Sequence, residues 1–232
     1  MNKRFWIHTA LVIMISQTPQ LAKSQTTGPL PPPAPWIVAG LTQLGALHFW
    51  TGISFSLNED ANRQAVIAFQ KLEHLPRTGK LTADMLEHIL HVREIPARDS
   101  LHKFHIEVDL NHQVLLIFDS LDQLKRILSI STGNGRYFET TDRGGRYALT
   151  PRGKFTVYSK VAGWKQSTLG LLFDPIYVKG GVAIHGARSV PASPASHGCI
   201  RIPMFAAQEM FINTPLGTPV VIYGENPRKR KG

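Results

Sequence analysis

The sequence contains only one cysteine among its 232 residues, Cys199. A single cysteine cannot form an internal disulfide, and with two histidines nearby and no further ligand at short spacing it fits a structural zinc site poorly. A lone cysteine is also more often a small buried hydrophobic residue than a catalyst. Any function for this thiol must therefore be indicated by the residues around it.

Acidic residues are scarce as well: 16 Asp and Glu stand against 26 Lys and Arg, a formal net charge of +10. Seven of the basic residues lie near the two ends of the chain, at Lys3, Arg4 and Lys23 and in the run 228–231. No basic face interleaved with aromatic residues appears between them, so nucleic-acid binding is not indicated. The terminal run predicts a solvated basic tail over 225–232, or a tether to an anionic polymer or membrane surface.

Long apolar runs are missing too, which argues against a transmembrane segment. The apolar run at 5–15 has only eleven residues, follows the basic residues Lys3 and Arg4, and precedes the small residues Ala22 and Ser24. This order predicts a secretory signal peptide over 1–24, and an uncleaved anchor helix would need a longer run. We therefore expect an exported protein, in which a free thiol is costly to keep without a use.

Two further segments precede the region that contains the cysteine. Residues 25–35 are rich in proline and predict an extended linker. In residues 36–98, the spacing of the apolar residues indicates helices over 61–72 and 83–92, joined by a turn at 75–80 that contains proline and glycine. We expect a small helical domain over 36–98.

From residue 101 the apolar pattern changes from helical to alternating. One helix is predicted at 204–211, and the stretches 137–147 and 162–174 show no strand character. The region 101–224 is therefore expected to be mainly β, a β-sandwich or a partly closed barrel with one helix. Strands are predicted at 104–110, 114–118, 126–131, 154–159, 176–178, 182–185 and 219–223.

The cysteine stands in a loop-like context. Small residues and prolines fill the stretch 189–196, and Gly198 precedes the thiol directly, which allows positive φ or close approach of the backbone. A thiol is a weak nucleophile until an imidazole within hydrogen-bonding reach takes its proton. His185, fourteen residues upstream, and His197 are both candidates for that role.

The run His185-Gly186, a spacer and then Ser196-His197-Gly198-Cys199-Ile200-Arg201 resembles the signature of the L,D-transpeptidases, the YkuD-type enzymes that cross-link cell walls. The resemblance implies that Cys199 is the nucleophile and His185 the general base. It also implies supporting roles: orientation of the imidazole by a carbonyl at or next to Gly186, an acyl pocket and oxyanion hole shaped by His197 and Gly198, and substrate binding by Ser196, Arg201, Tyr177 and Trp164.

The resemblance extends over residues 103–224, including a second motif at 150–157, and implies the same mainly β fold. Residues 65–70 and 78–86 further resemble the small three-helix peptidoglycan-binding domain, although a helical spacer without a ligand is the alternative. The resemblance implies that the protein acts in the periplasm or the cell wall. The implied partners are peptidoglycan stem peptides and, for the basic tail, an anionic cell-wall polymer. No oligomeric state is indicated.

The implied reaction is acyl transfer through a thioester on Cys199, with release of a terminal D-alanine and formation of a peptidoglycan cross-link. It requires neither a metal nor an organic cofactor. Two alternatives remain at this point. Water instead of an amine resolves the thioester in a carboxypeptidase or other hydrolase, and the thiol is incidental in a non-catalytic wall-binding protein.

Overall fold

In a computed structural model of the chain, the described residues are 34–51, 59–92, 95–140 and 144–229. The predicted signal peptide, nearly all of the proline-rich linker and the last three residues of the basic tail lie outside them. None of the helices within the described ranges is long and apolar enough to cross a bilayer.

The elements of the described residues, in chain order, are α1 (Pro35–Ala46), α2 (Asp60–Leu72), α3 (Ala83–His91), β1 (His105–Asp109), β2 (Val114–Phe118), β3 (Leu124–Ser129), β4 (Tyr137–Phe138), β5 (Arg146–Tyr147), β6 (Gly153–Thr156), β7 (Ser159–Lys160), β8 (Trp164–Ser167), β9 (Gly170–Lys179), β10 (Val182–Ala187), β11 (Ile200–Pro203), α4 (Met204–Asn213) and β12 (Pro219–Tyr223).

Most strands belong to two open sheets. The first has the order β3-β2-β1-β12-β6, and the second has the order β11-β10-β9-β7 with β8 also paired to β9. The sheets meet at one corner, where Ser131 and Arg201 form an isolated antiparallel bridge. The expected mainly β fold is confirmed, and it is a sandwich rather than a closed barrel.

One apolar core lies between the two sheets and α4. Ile106 and Ile222 of the first sheet, Ile184 and Ile200 of the second, and Met210 of α4 are each at most 2% exposed. Burying such side chains contributes roughly 1.5 to 3 kcal/mol each relative to leaving them in water. This core fixes the inner face of β10 and β11 and leaves their outer face for other contacts.

A second apolar core joins α1, α2 and α3 to the opposite face of β2 and β3. Phe69 of α2, Ile89 of α3 and Phe118 of β2 are all fully buried in it. β2 is buried along its whole length because both of its faces are covered. The two helices predicted at 61–72 and 83–92 are present as α2 and α3, and α1 precedes them as a third. All three share a core with the β region; the domain boundary near residue 100 stays a prediction.

The stretch 162–174 differs from its prediction. β8 and the first half of β9 form a β-hairpin there, with Trp164 opposite Phe173. Residues of β8 are mostly exposed on both faces, so the hairpin lacks the alternating pattern by which a strand is recognised from sequence. The stretch 137–147 likewise contains the short β4–β5 hairpin, whose tip lies outside the described residues.

The basic tail also differs from a purely solvated end. The side chain of Asn226 bonds the main chain of Thr150, and the Lys229 ammonium lies 5.1 Å from the centre of the Tyr147 ring. No local sequence pattern predicts either contact. Residues 225–229 therefore pack along the motif at 150–157.

Candidate active site

His185 and the residues after Cys199 lie on two adjacent parallel strands. In the register of β10 and β11, Ile184 is opposite Ile200 and His185 is opposite Arg201. Cys199 is the residue directly before β11, so it lies beside Ala183, two positions from His185 along β10. Residues two apart on a strand share a face, so we expect the thiol, by continuation of this register, on the same outer face as the imidazole.

The imidazole of His185 is held in one orientation. Its Nδ1 lies 2.9 Å from the Gly186 carbonyl oxygen, and since a carbonyl only accepts, Nδ1 carries the proton and Nε2 keeps its lone pair. The side chain is buried, and burial lowers the pKa of His185 to about 4, helped by the positive charge of Arg201. The ring is therefore neutral at neutral pH and able to accept a proton at Nε2.

The thiol of Cys199 is half-buried. Burial raises its pKa above the usual range, while the backbone of Ala183 and the charges of Arg201 and Arg146 act in the opposite direction. Sγ lies 3.8 Å from the Gly181 carbonyl oxygen. Among the described residues this carbonyl and the Ala183 backbone, and not His185, are the hydrogen-bond partners of Sγ. At rest both members of the pair are thus uncharged.

Glycine is required at two positions around this pair. A Cβ on Gly186 would stand 2.7 Å from the Ala207 Cβ of α4, so the glycine lets α4 pack directly beneath the strand that carries His185. Gly198 has a φ of +131°, and a Cβ there would stand 2.9 Å from the Leu149 carbonyl oxygen. The backbone conformation just before the thiol therefore depends on glycine.

Ser196 is buried, and its hydroxyl is used within the loop. Oγ accepts the Gly198 N–H at 3.0 Å and donates to the Cys199 carbonyl oxygen at 2.6 Å. The sequence predicts substrate binding for Ser196, whereas these bonds give it a role in shaping the loop. They also occupy the Gly198 amide, which the family resemblance implies to be part of the oxyanion hole.

His197 points outward and contacts the short β4–β5 hairpin. Its ring packs edge-on against Phe138 at 4.8 Å between centroids, and the Arg146 guanidinium lies 5.3 Å from the centre of the same Phe138 ring. Burial, Arg201 and Arg146 together lower the pKa of His197. Its position fits a wall of the site, and His185 is the better placed base.

Tyr177 and Trp164 lie on the same sheet at different distances from the thiol. Tyr177 of β9 pairs with Ala183, the strand position beside Cys199, and burial together with the nearby Cys199 raises the pKa of its phenol. Trp164 is 45% exposed and contacts Phe173 of the hairpin with the two rings tilted by 50°, and the Arg188 guanidinium lies 5.5 Å from the centre of its ring. Tyr177 is thus next to the thiol, and Trp164 lies on the β8–β9 hairpin against Phe173.

Arg201 is partly buried in the middle of the group. Its main chain exchanges hydrogen bonds of 3.1 and 3.0 Å with Ser131, and its charge affects the pKa of His185, His197 and Cys199 alike. Within the part of the chain that the structure describes, its guanidinium has no acidic partner. An unpaired cation beside the thiol is suited to bind a carboxylate.

Thr150 is a residue of the site that was not predicted. Its hydroxyl accepts the Gly133 N–H at 3.0 Å and donates to the Gly198 carbonyl oxygen at 2.9 Å. Its place in the motif at 150–157 is the only signal that indicated it. The described residues contain no group of three or more His, Cys, Asp or Glu side chains suited to a metal ion.

The chain is similar to known proteins in sequence and in fold. Residues 103–222 match the family model described as the L,D-transpeptidase catalytic domain (YkuD). The chain is similar to the crystal structure of an L,D-transpeptidase from Xylanimonas cellulosilytica, with 34% identity over 84% of this chain and 100% of that chain and a TM-score of 0.72. An L,D-transpeptidase from Stackebrandtia nassauensis has 19% identity, covers 87% of this chain and 97% of its own, and gives a TM-score of 0.49. A search of the curated proteins found no match.

Proposed function

The chain belongs to the L,D-transpeptidase (YkuD) family, and on that premise we propose that it transfers an acyl group from one peptidoglycan stem peptide to another through a thioester on Cys199. The observation that supports the proposal is the parallel pairing of β10 with β11, in which His185, with its oriented, neutral imidazole, is opposite Arg201, two residues after the lone cysteine. A non-catalytic wall-binding protein would have no need of that arrangement.

In the first step, Nε2 of His185 takes the thiol proton as Sγ attacks the carbonyl carbon of the third stem residue. Because both groups are uncharged at rest, we expect proton transfer and attack to occur together rather than from a pre-formed ion pair. The bond from that carbonyl carbon to the nitrogen of D-alanine then breaks, and the imidazolium of His185 donates its proton to the departing amine. The enzyme is left as a thioester.

In the second step, an amine of a neighbouring stem attacks the thioester carbonyl. His185 accepts a proton from this amine, the carbon–sulfur bond breaks, and the sulfur regains a proton from His185. The product is a cross-linked pair of stems and a free thiol. Water in place of the amine would give a carboxypeptidase.

The developing oxyanion needs donors close to Cys199. Since Ser196 already occupies the Gly198 amide, we assign this role to the amide of Cys199 itself, with His197 at the rim of the pocket. A well-placed donor commonly contributes about 3 kcal/mol to stabilising such a transition state. Arg201 is proposed to bind a stem carboxylate, and Tyr177 and Trp164 to contact the stem peptide.

Intact-mass spectrometry tests the nucleophile. The protein is incubated with a tetrapeptide stem or with a carbapenem, and the adduct is located by peptide mapping. We expect an adduct on Cys199 in the wild type, none in Cys199→Ala, and strongly slowed formation in His185→Asn. A stable wild type that forms no adduct with either probe would refute the acyl-enzyme.

Product analysis separates the two enzymatic functions. With stem peptides as both donor and acceptor, a transpeptidase gives dimers, whereas a hydrolase gives shortened monomers alone. The family supports the transpeptidase, and an outcome without dimers in the presence of excess acceptor would favour the hydrolase.

We further propose that the protein is exported through a signal peptide at 1–24 and acts in the periplasm or cell wall, and that the helices of residues 36–98 contact peptidoglycan. The mass of the mature protein purified from its native host tests the first proposal. Co-sedimentation with purified sacculi tests the second, with Cys199→Ala used so that acyl-enzyme formation does not contribute.

A further inference from the structure

Lys71 on α2 has an unusual environment for a lysine. Its side chain is fully buried, and Nζ donates to the Gln113 carbonyl at 3.0 Å, the Ser129 hydroxyl at 2.9 Å and the Ile130 carbonyl at 2.8 Å. Each of its three N–H groups thus has an acceptor. A buried amine with a complete set of partners fixes the groups that it bonds.

Gln113 connects Lys71 to Thr132. Its φ is +59°, a left-handed conformation that turns its carbonyl to Lys71 and its side chain to Thr132. Oε1 accepts the Thr132 N–H at 3.0 Å, and Nε2 donates to the Thr132 hydroxyl at 2.8 Å. Gln113 is itself 1% exposed, so water does not compete for these bonds.

Thr132 then holds the loop that carries the cysteine. Its carbonyl oxygen accepts the N–H groups of Ala195 and Ser196, both at 2.9 Å. Ser196 in turn bonds the Gly198 amide and the Cys199 carbonyl. A continuous series of hydrogen bonds therefore leads from a helix of the N-terminal segment to the main chain of the proposed nucleophile.

Two more side chains of the helical segment reach the same loop directly. Nε2 of Gln64 on α2 donates to the Val190 carbonyl at 3.4 Å, and Nη1 of Arg77, in the turn after α2, donates to the Ala192 carbonyl at 3.1 Å. The helical segment thus bonds the first half of the loop directly, at Val190 and Ala192, and the second half through Gln113 and Thr132.

We propose that the helical segment is a positioning module for the Cys199 loop, and that Lys71 is the positioning residue that connects the two through Gln113 and Thr132. The positioning itself does not depend on the proposed function; only the expected effect on the acylation of Cys199 rests on it. Lys71 touches neither the substrate nor the reacting atoms; it acts by fixing where Ser196 places the backbone on either side of the thiol.

The helix offers a matched control in the neighbouring residue. Gln70 is 2% exposed, and its side chain bonds the Thr78 hydroxyl, the Lys80 carbonyl and the Gly79 amide at 3.1, 3.1 and 2.8 Å. All of these bonds stay within the helical segment. Lys71→Met and Gln70→Met therefore each remove a buried polar side chain and all of its hydrogen bonds from one helix, and only the first breaks the connection through Gln113 and Thr132.

The experiment measures hydrogen–deuterium exchange of a peptide that contains residues 195 and 196, together with the rate of acylation of Cys199 and the melting temperature. In Lys71→Met we expect exchange of these amides to accelerate about 10-fold or more and acylation by a carbapenem or stem peptide to slow about 10- to 100-fold. In Gln70→Met we expect both to stay within about 2-fold of wild type, whatever the change in melting temperature.

The proposal is overturned if Lys71→Met leaves exchange of the loop unchanged, or if both variants change exchange in proportion to their loss of stability. Should Lys71→Met not fold, Gln113→Met decides in its place, because it removes the bonds to Thr132 and retains the backbone carbonyl that Lys71 bonds. A wild type that is not acylated at all would refute the proposed function, and the exchange measurement would still decide this inference.

Discussion

The side-chain amide of Asn226 pairs with the main chain of Thr150, accepting its N–H and donating to its carbonyl, both at 2.9 Å. The Thr150 hydroxyl in turn donates to the Gly198 carbonyl beside the thiol. The motif at 150–157 therefore supports the loop at Gly198, and a residue of the predicted solvated tail supports the motif.

Asn226→Ala removes both bonds of this pair. We expect a loss of about 1 to 2 kcal/mol in the free energy of unfolding and slower acylation of Cys199. The matched control is Glu225→Ala, which removes the exposed pair with Arg152 and leaves Thr150 untouched. Chemical denaturation and the acylation rate check both; equal effects of the two variants would contradict a specific role for Asn226.

Gly198→Ala tests the backbone before the thiol. The φ of +131° disfavours any residue with a Cβ, and the added atom would meet the Leu149 carbonyl. We expect acylation to slow about 100-fold, with a loss of roughly 1 to 3 kcal/mol in stability. Gly153 has the same φ, and a Cβ there meets nothing nearer than 3.5 Å. Gly153→Ala should therefore lose stability and keep its acylation rate.

The sequence predicts the strands with apolar alternation or a continuous apolar run, and β12 is found at its predicted bounds. The spacing offers both His185 and His197 as bases for Cys199, and only the family resemblance implies the pairing with His185, which stays a prediction. The sequence does not predict the hairpin of β8 and β9, since its exposed residues show no period. Nor does it predict Lys71, Gln113 or Asn226 as supports of the loop, because the partners through which they act are 19 or more residues away.

The pH dependence of acylation reports the proton acceptor. Burial lowers the pKa of His185 to about 4, so the ring is neutral above that pH. We expect a rate that is nearly constant between about pH 5.5 and 8 and half lost near about pH 4. Circular dichroism at each pH serves as the control for unfolding. A midpoint near the pKa of a free histidine would mean that the His185 ring is solvated and does not have the orientation described above.

Lys71 makes stability depend on pH. Burial, and secondarily Arg77, lowers its pKa from 10.5 to about 7, so between these values the unfolded chain holds a proton that the folded chain has lost. The free energy of unfolding therefore rises by up to about 5 kcal/mol as the pH increases from about 7 to 10.5. The neutral amine keeps two N–H bonds and can accept from Ser129. Denaturation at several pH values should show this slope in wild type and a weaker one in Lys71→Met.

Arg201→Gln tests the recognition of a carboxylate. The guanidinium is partly buried beside His185 and Cys199 and has no acidic partner among the described residues, so a substrate carboxylate is its natural counter-ion. We expect wild type to be acylated about 10- to 100-fold faster by a stem whose terminal D-alanine carboxylate is free than by the same stem with that group amidated. In Arg201→Gln the ratio should approach unity, because both stems then lack the charge pair.

The matched control is Arg152→Gln, which removes the same charge from an exposed position on the other sheet and should keep the wild-type ratio. Loss of Arg201 has a second consequence, since its charge also lowers the pKa of His185. The acid limb of the acylation profile should therefore move to higher pH in Arg201→Gln and stay in place in Arg152→Gln. A ratio that survives while the limb moves would show that Arg201 tunes the base without binding the substrate, and the carboxylate would then need another partner.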